Sequence, residues 1–220
     1  MVATLGRFLR EGTPWRGLTA TEDQASGSTL RRCLARWAET GLLAKAHAPL
    51  VRMLRGHPDL IIDSCPVRAK RGGDLTGPNP TDRAKRGSKY HVAVDGDGVP
   101  VACTATAANT QRHARVRAAV PCRSNAMMVR IRAVFADKGY DARQHRGLCR
   151  RFGAEPHVHK RGQPCGSGLG QRRWPVERSN AWVLENRRLA LRYDRLGFVI
   201  QSLLQAACVF LGAGRLARQF

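Results

Sequence analysis

Acidic residues are scarce in this chain. Across 220 residues, 16 Asp and Glu stand against 38 Lys and Arg, giving a formal charge of +22 and a pI near 11.3. That excess is well beyond what solubility needs, and a polymer of phosphates is its usual counter-surface. Nucleic acid is therefore the expected partner. The basic residues are spread over many segments and do not stripe one amphipathic helix, which argues against a membrane surface. The seven cysteines lie far apart, are odd in number and contain no CxxC pair, so they read as reduced thiols. The N-terminus, MVATLGRFLREG, lacks the apolar core of a secretory signal, and the apolar stretch from Phe198 to Ala213 is broken by Gln201, Ser202 and Gln205. Neither export nor a membrane span is expected, and the location implied is cytoplasmic. No internal repeat is present.

What is there is an α/β pattern behind a helical front. Residues 29–54 read as two helices, with Leu30, Leu34 and Trp37 on one face, Arg31, Arg32 and Arg36 on the other, and Gly41 as the stop. This basic helix follows the turn residues Ser26, Gly27 and Ser28. It fits either the recognition half of a helix-turn-helix or a helix packed on its neighbour with a solvated basic face. After Pro58 comes a short apolar strand ending at Asp63, then a loop, 64–88, carrying Arg68, Lys70, Arg71, Lys85 and Arg86 and expected to be mobile unless a polyanion orders it. Residues 89–106 alternate around Asp97-Gly98, a hairpin signal. Helices are expected over 109–119 and 127–132, then a buried strand ending at Asp137, with Gly139 as a turn behind it. A helix over 142–151, the strand EPHVHK, a Gly-rich loop, a long helix bearing Glu177 and an apolar helix over 196–211 complete the chain.

This order of strand, hairpin, helix, strand, helix, strand and helix is that of a ribonuclease H-like mixed sheet with covering helices. The division expected is a helical DNA-binding region over 1–57 and a catalytic domain over 58–220. In that topology Asp63 and Asp137 sit at corresponding ends of neighbouring strands, and Glu177 arrives from a covering helix. In a chain so poor in acids, a carboxylate ending an apolar run should be paired, metal-bound or catalytic. Simpler readings compete: a turn cap for Asp63 through Ser64, an N-cap or a Lys138 pair for Asp137, and a pair with Arg173 or Arg178 for Glu177. His157 and His159 could share a strand face, but no third ligand accompanies them.

The segments GTPWRGL, TLRRCLARWAETGL, IIDS, RAKRGSKYHVAVDGDGVPV, TAANT, FADKGYDA and WPVERSNAWVLENRRLALRYDR resemble, in order, the DDE transposases of bacterial insertion sequences, in the insertion-sequence-five group related to insertion sequence four. The resemblance covers nearly the whole chain. It implies that Asp63, Asp137 and Glu177 are the catalytic acids and metal ligands. Arg173 matches an Arg four residues before the glutamate in the family signature, whereas Gly170 and Leu184 stand where the family has Tyr and Lys. Relatives carry a further helical stretch before the GTPWR segment, so the front region is expected to be incomplete.

Phosphodiester cleavage needs charge neutralised at phosphorus, a nucleophile activated and a leaving alkoxide stabilised, tasks that paired divalent ions perform. Hard carboxylate oxygens suit Mg²⁺, and Mn²⁺ may substitute. The expected function is cleavage at transposon ends followed by strand transfer. Duplex DNA, as terminal inverted repeats and target, is the expected partner, bound by a homodimer or multimer. Lys89, Arg172, Arg173, Arg178, Arg187 and Arg188 join the basic residues above as phosphate contacts, with Trp174 and Trp182 as stacking candidates. Two other readings remain: a non-catalytic basic DNA-binding remnant, and a nuclease of this fold that never joins strands.

Overall fold

Strand β1 (Leu60–Arg68) is the axis of a six-stranded sheet in a computed structural model that describes residues 1–54, 57–110, 131–158 and 169–219. On one side β1 pairs antiparallel along its whole length with β3 (Arg86–Asp95), which in turn pairs with β4 (Pro100–Ala107). On the other side it pairs parallel with β5 (Ala133–Ala136), and β5 pairs parallel with β6 (Glu155–Val158). The two-residue β2 (Gly77–Pro78) adds to the start of β3. This order, with β1 central and the hairpin and parallel strands on opposite sides, is the ribonuclease H-like arrangement.

Helix α1 (Val2–Glu11), not anticipated from the sequence, precedes α2 (Gly27–Thr40) and α3 (Leu42–Leu54). Ser26 caps α2 by accepting from the Thr29 N–H at 3.3 Å, and Gly41 ends it with a left-handed φ of 64°, a conformation glycine adopts without cost. Helix α4 (Arg143–Arg151) between β5 and β6, α5 (Leu169–Glu185) and α7 (Gly197–Leu216) are where helices were expected, but the long helix bearing Glu177 stops at Glu185, and extended Asn186 starts a separate single turn, α6 (Arg187–Ala190), that carries Leu189. Most of the two helices expected over 109–119 and 127–132 falls outside the described residues. So do His159 and residues 162–168 of the Gly-rich loop, whose last three residues open α5.

Alternation in β1 assigns the two faces. Ile61 and Val67, with Val92, Ala133 and Phe135, meet Val176 of α5 and the helices α1, α2 and α7. Leu60, Ile62, Ala93, Val134 and Ala136 face the other way, toward Cys149 of α4, Tyr140 and Val51 of α3. Leu5, Phe8 and Leu9 of α1 and Leu30 and Leu34 of α2 enter the same core as Leu203 and Leu204 of α7, so the front helices and the sheet share apolar packing. Helix α7 is long and apolar enough to cross a membrane by length and composition, yet its Ile200, Leu203, Leu204, Ala207 and Cys208 are buried in this core. Its interrupting glutamines have work there. Gln201 accepts from the Ala105 N–H at 2.9 Å and donates to the Cys103 carbonyl at 3.2 Å, closing part of the free edge of β4.

Two expectations are corrected. The first strand does not end at Asp63 but runs on to Arg68, because its antiparallel partner β3 extends well past the short parallel β5. Pro66 is tolerated where β1 has β3 on one side and β5 has already ended. The loop over 64–88 is correspondingly shorter, and the protein orders it by itself. Arg192, fully buried, donates to the carbonyls of Asp74, Leu75, Asp194 and Arg195 and to the Ser88 hydroxyl. The Lys70 N–H adds a bond to the Arg192 carbonyl at 2.9 Å, and Arg68 grips Asp82 through two nitrogens.

Candidate active site

The last registered pair between β1 and β5 is Ile62 with Ala136, and the next residues along each strand are Asp63 and Asp137. By parity Asp63 shares its face with Ile61, and Asp137 with Phe135, so both carboxylates belong to the side covered by α5. Val176 anchors α5 on that face, and Glu177 is its neighbour on the helix, exposed at the margin of the contact.

The three acids have different surroundings. Asp63 is only 16% exposed and faces the Arg173 guanidinium at 3.4 Å. Asp137 accepts from the Gly139 N–H at 2.9 Å, capping the short 3-10 turn Lys138–Tyr140. The capping reading of Asp137 is therefore correct as geometry, and the cap engages one of its two carboxylate oxygens. Glu177 forms no ion pair among the described residues. The competing reading of Glu177 as a partner of Arg173 or Arg178 is not what the structure has: Arg173 goes to Asp63, and Arg178 donates to the Asp97 carbonyl at 2.8 Å while stacking between Trp174 and Trp182. Two residues beyond Asp63, burial and the nearby Asp63 charge push the Cys65 thiol up to about 12, so it is no thiolate nucleophile.

The donors fit a hard divalent cation in kind, since Asp63 and Asp137 are carboxylates brought side by side on one face. Among the described residues no group of three Asp, Glu, His or Cys side chains is close enough to hold an ion. Asp63 and Asp137 are thus brought together by the sheet, and Glu177 is placed on the covering helix outside a closed ligand set.

The sequence model of the transposase DDE domain matches residues 54–211, which contain all three acids. The chain belongs to this family. It is 39% identical over 186 residues to a putative transposase for insertion sequence element IS402 from Burkholderia cepacia, covering 82% of this chain and 86% of that protein. Among solved structures, the catalytic core domain of BIV integrase aligns with 71% of this chain and 84% of its own, at 16% identity and a TM-score of 0.40. The Mos1 transposase paired-end complex with its left transposon end aligns over 96% of this chain and 78% of its own, at 14% identity and a TM-score of 0.33. The protein is a DDE transposase of an insertion sequence, an enzyme of DNA transposition from a family that works with divalent metal ions.

In this transposase the predicted phosphate contacts divide. Arg31, Arg32, Arg36, Lys70, Arg71, Lys85, Arg86, Arg172 and Arg187 are exposed and point basic groups to solvent. Lys89 is half-buried and donates to the Thr110 carbonyl at 3.2 Å. Arg68 is engaged by Asp82, Arg173 by Asp63 and Arg178 as above. Arg188 departs from expectation. It is buried, forms a two-bond pair with Asp194 at 2.8 and 3.0 Å and stacks over Phe8 and Trp15, so it serves the fold and faces no solvent phosphate. Trp174 stays 55% exposed and Trp182 is half-buried between Arg178 and Arg215. His157 stacks on Phe135 at 4.8 Å. Sequence reading missed Arg192 altogether, and nothing in its local pattern RYDR separates it from its exposed neighbours.

Proposed function

We propose that Asp63, Asp137 and Glu177 are the acids with which this transposase cuts the ends of its element and joins them to target DNA. The observation that carries the reading is the register: Asp63 and Asp137 follow directly on the last paired residues of two parallel neighbouring strands, on the face covered by the Glu177 helix. The three carboxylates would hold Mg²⁺, with Mn²⁺ able to substitute, and two bound ions would supply the neutralising charge and the activated nucleophile that phosphodiester cleavage requires.

The protein's own groups do the rest. Arg173 neutralises Asp63 in the free enzyme, which spares the sheet an unpaired half-buried carboxylate, and its guanidinium is positioned to meet a phosphate when one enters. Gly139 fixes one oxygen of Asp137 and so its rotamer. Glu177, exposed and outside any ion pair among the described residues, can turn inward to complete the set. The exposed arginines and lysines hold duplex DNA, as terminal inverted repeats and target, on a homodimer or larger assembly in the bacterial cytoplasm. The region 1–57 contributes DNA contacts and 58–220 the chemistry.

Strand joining tests this reading. A pre-cleaved element end with a free 3′-hydroxyl, given Mg²⁺, is joined covalently to a second duplex, and a 2′,3′-dideoxy end is bound but not joined. Nicked DNA without any joined product would leave a hydrolytic nuclease instead.

A further inference from the structure

Away from the acids, a cleft of about 1580 Å³ opens between the start of α2 and the chain that follows α6. Its wall carries Arg16, Arg31, Arg32 and Arg71, which come from three separate segments, together with the part-buried Trp15 and two exposed rings, Tyr193 and Phe198. All four arginines are exposed, and among the described residues none of them pairs with a carboxylate. The one acid lining the cleft, Asp194, is already committed to Arg188 and to the Trp15 indole N–H at 2.7 Å. Four uncompensated positive charges thus share one concave surface. Tyr193 and Phe198 are 44% and 37% exposed there, an unfavourable setting for large rings unless something covers them.

The surface is held rigid from beneath. Trp15 and Arg188 fix Asp194. Gly27 packs so closely on the Trp15 backbone that a Cβ would overlap its carbonyl oxygen, which locks the start of α2 to the cleft. The segment bearing Arg71 is tied to that bearing Tyr193 by the Ala69–Arg192 bridge, by the Arg192 bonds to the Asp74 and Leu75 carbonyls and by the Asp74 N–H to the Arg195 carbonyl. Arginines and rings from distant parts of the sequence are therefore presented together without waiting for a ligand to order them.

We propose that this cleft binds a single, unpaired DNA strand, its phosphates on Arg16, Arg31, Arg32 and Arg71 and its bases stacked on Tyr193 and Phe198. A duplex would satisfy the arginines but would bring no base face to the rings, whereas a single strand offers phosphates and π-faces together. An acidic peptide would match the charge and leave the rings uncovered. The inference rests on the transposase reading only for the source of the strand, which is the frayed DNA next to a cut. It also gives Arg31, Arg32 and Arg71 a common surface; Arg36, on the same helix as the first two, does not line it.

The test is fluorescence anisotropy of the full chain with a labelled single-stranded oligonucleotide and with a blunt duplex at equal salt. Stacking is worth roughly 1–3 kcal/mol per base, so replacing Tyr193→Leu with Phe198→Leu should weaken single-strand binding by roughly 10-fold or more and duplex binding by less than about 2-fold. Tyr193→Phe keeps the ring and should keep the affinity. Arg31→Gln with Arg71→Gln should weaken both and lower the salt dependence. In the unaltered protein, 2-aminopurine at successive positions of the strand should report stacking by a change in fluorescence at one or two of them. Equal losses on strand and duplex from the Tyr193→Leu and Phe198→Leu pair, or a 2-aminopurine signal unchanged at every position, would overturn the proposal. Single-strand binding that behaves as predicted in a protein unable to cut or join its element ends would keep the cleft and reject the transposition chemistry; joining activity with no strand preference would do the reverse.

Discussion

Two arginine-rich stretches look alike as sequence and behave as opposites. In residues 187–195, RRLALRYDR, Arg188 and Arg192 turn inward, one onto Asp194 and two aromatic rings, the other onto four carbonyls and a hydroxyl. In residues 29–36, TLRRCLAR, all three arginines face solvent while Leu30 and Leu34 take the core. Charge count does not separate them. What does is the supply of acceptors: the irregular chain around Asp74, Leu75 and Asp194 has carbonyls with no strand or helix partner, and a guanidinium has five donors in a fixed fork. The helix has no spare carbonyls, so its arginines stay available for phosphate.

Removing Arg192 should expose that contrast most strongly. Arg192→Met strands several buried acceptors at once and should cost about 3–5 kcal/mol, a drop of roughly 10 °C or more in melting temperature. Arg192→Lys should recover only part of it, because an ammonium has three donors. Arg188→Met comes next, at about 3 kcal/mol, since Asp194 would keep the Trp15 indole N–H but lose its buried counter-charge. Replacing Arg31, Arg32 and Arg36 with Gln should instead leave the melting temperature unchanged and lower the salt dependence of DNA binding, by about 0.9 in log–log slope for each phosphate no longer neutralised. A stability loss in that triple variant would break the comparison.

The smallest effect concerns pH. Burial lowers the pKa of His47 from its usual 6.5, with the hydrogen bond to the Pro100 carbonyl opposing the shift, so the unfolded chain takes up the proton first. Its contribution is therefore present above pH 6.5 and is lost as the pH falls through the lower folded-state value. A urea titration from about pH 7.5 down to about pH 5 should show this decline, and His47→Gln should flatten it.

Much of this fold was legible from pattern alone. The alternation over 89–106 marked the hairpin, Gly41 marked the end of α2, although its start lies at Gly27, two residues before the Thr29 read from the sequence, and the buried run AVFA ended at Asp137 as read. The extent of β1 was not legible, because Ser64 and Pro66 look like breakers unless β3 is known to run alongside them on one side only. For the candidate site, the two aspartates followed from strand order, while the Arg173–Asp63 contact did not. It depends on the rotation of α5 over the sheet, which follows the burial of Val176 and Val183. Arg192 escaped for a related reason: three of its five acceptors, at Asp74, Leu75 and Ser88, lie more than a hundred residues earlier, in a segment whose composition reads as mobile loop.

The central claim is that Asp63 within β1 and Asp137 just after β5, with Glu177, perform the cutting while the exposed basic surface only holds the DNA. Its most direct test measures cleavage and binding side by side, with Mg²⁺ and DNA carrying the ends of the protein's own element, for Asp63→Asn, Asp137→Asn and Glu177→Gln. Each variant should bind within about 2-fold of the unaltered protein and cut at least roughly 10³-fold more slowly, as expected when a group that stabilises charge only in the transition state is removed. Near-normal cutting by Asp63→Asn or Asp137→Asn would contradict the account.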